Sequence, residues 1–220
     1  MAVSGSTNWN LDASEIIEEA YERIGQELRT GYDAQTGRRS LNLLLADWAN
    51  RGIHLWMVDA DSQALTASTA SYTLDTDVVD IMDVVVRRSG TDYLLERISR
   101  NEYQNLPVKT TEGRPTQYWL DRQRDAPVIN LYPTPENSTD VLRFYKMVRA
   151  DDIDAAVNNA DVPYRFLPAL TSGLAYHLAV KRNPQMVPLL KQLYDEEMFR
   201  AEQGDRDDTN MRLVPNLRGY

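Results

Sequence analysis

Apolar residues recur at helical spacing near both ends of this chain and at shorter spacing in its middle. The strongest helical stripe lies in residues 38–56, RRSLNLLLADWANRGIHLW, where Leu41, Leu44, Leu45, Trp48 and Ala49 share one face. Asp47 and Arg51 stand four apart as a surface ion pair, and Gly52 sits where a helix stops. Residues 53–56 then carry a second tryptophan, Trp56. Nothing in this segment makes or breaks a bond, so it reads as a packing element. A helix over residues 12–28 precedes it, with Ile16, Ala20, Ile24 and Leu28 on one line and Ile17 and Tyr21 widening the stripe. Asp12 and Glu15 form a capping-box-like start, and Gly31 is the expected terminator.

Between residues 57 and 150 the period changes to short β-prone runs at 70–74, 78–88, 116–120, 128–132 and 141–148. Turn signals separate them, including Ser89-Gly90, Gly113-Arg114-Pro115 and Pro133-Thr134-Pro135. Run 78–88 alternates imperfectly, which predicts a bulge or burial on both faces. Ser99 and Glu102 have capping-box spacing and predict one short helix closed before Pro107. Helices return near Asp161, the expected N-cap, with Pro163 in the first turn. Phe166, Leu167, Leu170, Leu174 and Leu178 form that helix's stripe, with Pro168 a potential distortion of its early turns. A last helix over 184–203 has Met186, Leu189, Leu190, Leu193, Tyr194 and Phe199 as its apolar set.

The expected class is α+β: a discontinuous helical bundle from both chain ends (residues 1–56 and 151–203), an inserted β-rich domain (57–150) and an extended C-terminal arm (204–220). The arm reads GDRDDTNMRLVPNLRGY, aperiodic and unable to form a core of its own. Its apolar residues alternate with arginines, a composition suited to docking on a partner.

Composition narrows the function. The chain has 220 residues, a formal charge of −9 and no cysteine. Thiolate zinc sites and cysteine nucleophiles are therefore excluded, and a reducing compartment fits. The acidic surface disfavours tight wrapping of nucleic acid, although it suits a passage through which DNA slides. The leader MAVSGSTNWNLDASE predicts no secretory signal, and no apolar run approaches the ~18 residues of a membrane span. Trp9 in that polar leader is a candidate partner contact.

Candidate chemistry is thin. His54 and His177 are the two histidines, and packed or surface roles account for both. Nucleophile elbows, Walker loops, dinucleotide fingerprints and HExxH motifs are absent from the sequence. The acidic groups Asp59/Asp61, Asp75/Asp77/Asp80 and Asp151/Asp152/Asp154 lack the calcium-hand pattern and read as solvated loop charge. No catalytic residue, metal or cofactor is expected. Tyr118, Tyr132, Phe144 and Tyr145 fall in strands, where core packing is the expected role.

The order and spacing of four stretches resemble the head-to-tail adaptor (head-completion or neck) proteins of tailed bacteriophages, especially short-tailed ones. They are RRSLNLLLADWANRGIHLW, YTLDTDVVDIMDVVVRR, GRPTQYWLDRQRDAPVINLYPTPE and DVPYRFLPALTSGLAYHLAVKR, spanning most of roughly residues 12–200. The resemblance implies a structural virion protein, assembled in the host cytoplasm and placed in the neck as a homo-oligomeric ring, commonly of twelve copies. Such a ring sits beneath the portal protein and above the tail nozzle or tube, and it passes DNA without specific binding. It also implies that the arm grips the portal, which assigns docking to Arg206, Met211, Arg212, Leu213, Val214, Leu217, Arg218 and Tyr220. Arg38, Arg39 and Arg51 are candidate subunit-interface residues, and Pro133, Thr134, Pro135, Glu136 and Asn137 a candidate tail-facing loop. Two rival readings stay open: a glycan- or receptor-binding tail module using Tyr118 and Trp119, and a peptidoglycan hydrolase using acidic residues.

Overall fold

The computed structural model describes residues 11–50 and 55–205. Helices α1 (Ala13–Arg23), α2 (Gly31–Ala49), α4 (Leu167–Arg182) and α5 (Val187–Gly204) come from the two ends of the sequence. Their apolar faces meet in one buried cluster that includes Ile16, Ala20, Leu41, Leu44, Trp48, Phe166, Leu170, Leu174, Leu178 and Tyr194. Strands β1 (Val58–Ala64), β2 (Ser71–Thr73), β3 (Val78–Arg88), β4 (Thr91–Leu94), β5 (Glu96–Arg97), β6 (Glu112–Gly113), β7 (Gln117–Asp121), β8 (Val128–Tyr132), β9 (Thr134–Pro135) and β10 (Val141–Val148) lie between α2 and α4. A short helix, α3 (Arg100–Asn105), interrupts them. The chain is thus α+β.

Local chemistry sets the helix ends. The Asp12 carboxylate accepts the Glu15 N–H at 2.9 Å while Glu15 accepts the Asp12 N–H at 3.1 Å, a complete capping box on α1. The helix stops at Arg23, earlier than residue 28. Gly25 takes φ +74°, and its N–H and that of Gln26 return to the carbonyls of Glu22 and Tyr21, a glycine-dependent Schellman closure. Gly31 is therefore not a terminator. It is the first residue of α2, whose N-cap Thr30 accepts the Asp33 N–H through its hydroxyl at 3.2 Å. Leu28, outside the helix, still packs against the helical cluster. Ser99 and Glu102 cap α3 reciprocally, as their spacing predicts. Asp161 is not a cap: Pro163 precedes a 3₁₀ turn at Tyr164–Phe166 that runs into α4, and the Asp161 carboxylate accepts the Asp151 N–H. Pro168 occupies the first turn of α4, where its missing N–H costs nothing.

Buried polar bonds tie the two chain ends together. Trp48 Nε1 donates to the Tyr194 hydroxyl at 2.8 Å across 146 residues of sequence. Asn42 on α2 donates to the Ile153 carbonyl and accepts the Ile153 N–H, so it fixes the backbone returning from the strands. At Gly173 α4 packs closely on its neighbours. A Cβ there would lie 2.9 Å from both Leu44 Cδ2 and Tyr194 Cε2.

The strands form two four-stranded sheets, ordered β1-β10-β3-β4 and β2-β8-β7-β5, and a two-stranded parallel pair, β6-β9. Both larger sheets contribute to a second buried cluster, with Ile81, Val84, Val86, Leu142 and Phe144 from one and Tyr118, Leu120, Ile129 and Leu131 from the other. The register of β3 against β10 slips twice, once at Asp83–Val84 opposite Phe144 and once at Val79. Asp83 has φ 49°, the left-handed turn of a bulge. These insertions explain why the buried positions of β3 fall at 78, 81, 84 and 86 instead of every second residue.

Candidate functional site

Several ionisable side chains of the strand-rich part are committed to structural pairs. Arg88 grips the Asp140 carboxylate through Nε (2.9 Å) and Nη2 (2.7 Å) and reaches Glu136 with Nη1 (2.7 Å). Asp140 is only 1% exposed, so these bonds, with the Asn137 side chain at 3.3 Å, replace its water. Lys146 on β10 contacts both Asp75 (3.0 Å) and Asp61 (3.3 Å), and the Asp75 hydrogen bond raises its pKa above the ordinary lysine value. Asp80 takes Arg97 and Arg122. Of the acidic groups noted in the sequence, Asp61, Asp75 and Asp80 thus face cations of the same chain, whereas the Asp154 carboxylate accepts the Asn158 amide. Among the described residues no set of three or more His, Asp or Glu side chains is placed to hold a metal ion.

The aromatic residues divide. Tyr118 and Phe144 are buried in the β cluster, and burial raises the Tyr118 pKa. Trp119 lies against Tyr103 of α3, ring centroids 5.2 Å apart, while Tyr145 is exposed. A stacking platform built on Tyr118 would require unpacking that core. His177 sits edge-on to Tyr176, and His54 lies outside the described residues.

The candidate interface residues have different fates. Arg38 is half-buried and donates to the Asp154 carbonyl, so part of its hydrogen-bonding capacity is used internally; Arg39 is exposed. Arg51 lies outside the described residues, as do Gly52, Trp9 and the arm residues Arg206, Met211, Arg212, Leu213, Val214, Leu217, Arg218 and Tyr220. The segment from Pro133 to Asn137 is not a free loop. Thr134 and Pro135 are buried as β9 and pair with Glu112–Gly113, Glu136 binds Arg88, and Asn137 organises the turn into Asp140.

Two surface features were not legible in the sequence. The first is the root of the arm: Asp205, buried at the end of α5, pairs with Arg165 in the turn before α4. The two residues stand 40 apart, and no spacing rule connects them. The second is the outer face of α5, where Leu189 (60% exposed) and Phe199 (59%) project outward although both belong to the apolar set. The helix instead buries Leu190, Tyr194, Met198 and Ala201, a narrower stripe. Exposed Tyr32, Leu43 and Val180 add apolar surface on α2 and α4.

The outward-facing apolar side chains of the helices suit a binding scaffold. No curated protein matches the chain. The family model described as SU10 adaptor protein matches residues 11–218, and the chain therefore belongs to that family of bacteriophage head-to-tail adaptors.

Proposed function

We propose that this protein is the neck adaptor of a short-tailed phage: copies of it, twelve to a ring as the resemblance implies, join the portal to the tail nozzle or tube and line the DNA exit channel. In this reading residues 1–56 and 151–203 form the ring body, residues 57–150 form the tail-proximal domain, and residues 204–220 dock on the portal. The observation that carries it is the shared core of the first and last helices, closed by the Trp48–Tyr194 bond. It supplies a rigid body from which the strand-rich part and the C-terminal arm can leave at separate points. Membership of the adaptor family supports the same role. The exposed Leu189 and Phe199 offer a surface for a neighbouring copy, since a ring is closed by a heterologous contact between different faces. Arg39 is available for such a contact, while Arg38 would bring only the donors not engaged by Asp154.

The test is a pull-down on assembled portal rings with the full chain and a variant lacking residues 206–220. That truncation retains Asp205, whose pairing with Arg165 closes α5. The full chain should be retained and the truncated one lost, with unchanged far-ultraviolet circular dichroism. Equal retention of the two would overturn the docking assignment.

A further inference from the structure

An open groove of about 880 Å³ runs between α1 and the entry to α4. Its apolar lining includes Leu11, Tyr164, Leu167 and Pro168, with Tyr164 66% exposed. Its rim carries Glu15, Glu18, Glu19 and Glu22, with Arg23 the one cation among the described lining residues, and the glutamates are spaced along the outward face of α1 away from the buried Ile16 and Ala20. Glu15 is used in the capping box and Glu19 pairs with Arg23, whereas Glu18 and Glu22 are exposed and pair with no described residue. An apolar trough edged by negative charge selects an apolar, basic segment.

We propose that this groove is the seat of the chain's own C-terminal arm in the free protein. Sequence, charge and position agree on that occupant. Residues 209–220, TNMRLVPNLRGY, carry Arg212 and Arg218 among Met211, Leu213, Val214 and Leu217, with no acidic residue, and Arg206, Asp207 and Asp208 link them to the root. The arm starts beside the groove: Asp205 is held by Arg165, and the adjoining Tyr164 forms part of the groove wall. Fifteen residues follow Asp205, a reach of up to ~50 Å, against the ~16 Å length of an eleven-residue helix such as α1. So short a tether holds the arm near its seat at an effective concentration on the order of millimolar. The leader is the other nearby segment, since residues 1–10 precede Leu11, but MAVSGSTNWN contains no lysine or arginine to answer the glutamates.

Seated there, the arm covers its apolar side chains until a better site competes for them. This consequence rests on the portal-docking reading; the occupancy itself does not. A portal would then have to displace the arm, so premature contacts through it are suppressed.

The absence of native cysteine makes disulfide trapping clean. In the full chain without portal, Leu11→Cys is combined with Asn210→Cys or with Asn216→Cys, positions that spare the arm's apolar and basic side chains. Mild oxidation should give a faster-migrating, internally linked monomer in at least one pair. Adding Glu18→Lys and Glu22→Lys should lower that yield roughly two- to thirtyfold, the loss of two exposed charge contacts, and raised salt should act in the same direction. Failure of both pairs to form an internal link would overturn the proposal. So would a linked dimer in place of the monomer, which assigns the groove to a second copy's arm. Trapping of Leu11→Cys by Ser6→Cys is too local to be informative, so the leader is tested with Glu19→Cys: a link to Ser6→Cys and none to either arm position would give the groove to the leader and refute the assignment. Portal retention is measured separately, so an arm that seats in the groove yet ignores the portal, or the reverse, is recognised directly.

Discussion

The Trp48–Tyr194 hydrogen bond should carry a measurable share of the helical core's stability. Tyr194→Phe removes one oxygen atom and keeps the ring that packs beside Gly173 and near Tyr176. Trp48 is wholly buried and Tyr194 2% exposed, so the indole N–H left behind finds no water in the intact structure. Orphaning a buried donor costs about 1–3 kcal/mol, more than the ~1 kcal/mol of an average hydrogen bond, because the desolvation of the donor is no longer offset. For a chain of this size such a loss lowers the melting temperature by roughly 2–12 °C. The assay is thermal unfolding followed at 222 nm, which weights the helices, alongside tryptophan fluorescence. Trp48 and Trp56 belong to the helical cluster or pack against it, so the fluorescence transition should shift together with the ellipticity. A melting temperature within 1 °C of wild type would refute the reasoning, since it would mean that the indole reaches water or another acceptor at little cost.

Two further outcomes follow from the ion pairs and caps. Arg88→Met should destabilise the strand-rich part by about 2–4 kcal/mol in urea unfolding, because it leaves the Asp140 carboxylate buried without its guanidinium; the figure is set below that of a fully buried pair because Arg88 is 28% exposed. Acidification should destabilise the helical part. The carboxyl of Asp33 is held below the ordinary aspartate value by the Thr30 hydroxyl and Arg182, and that of Asp12 by Ser14 and the Glu15 N–H. Both favour the folded state above the unfolded pKa of ~4, and that contribution is lost as pH falls through their lower folded values. An Asp12→Asn, Asp33→Asn double variant should show a smaller acid-induced loss of ellipticity, and an unchanged acid transition would exclude these caps as its cause.

Much of the fold was legible because short-range rules decide it. The capping boxes at Asp12 and Ser99 lie within four residues, and the stripe of Leu41, Leu44, Leu45 and Trp48 shares a single helix face. Strands β3, β8 and β10 have the limits expected from their apolar runs, because β-branched and aromatic residues dominate them. Strand β1, VDADSQA, carries almost no apolar signal and is exposed along most of its length. It exists because β10 offers it seven paired positions, a tertiary cause that no window of sequence contains. Gly31 misled because a glycine after a helical stripe usually ends it; here Gly25 had already done so, and Thr30 made the same region a beginning. On α5, periodicity named the apolar residues but could not say which would lack a neighbour.

The site was legible only by composition. Arginines interleaved with aliphatic residues are what suggest a docking role for the arm, and the groove proposed to receive it is assembled from three separate places. Glutamates of α1 supply the rim, the turn and first residues of α4 supply the apolar lining, and the Arg165–Asp205 pair brings the arm's root beside them. Each feature has an ordinary local explanation, since surface glutamates solubilise, a proline opens a helix and an ion pair closes one. Together they bring a negative, apolar trough next to the root of a tail whose distal residues 209–220 are basic and apolar. If the arm docks on the portal as proposed, a weak internal seat would keep it covered in the free chain, because the tether raises occupancy there while a portal that binds the arm more tightly can still displace it.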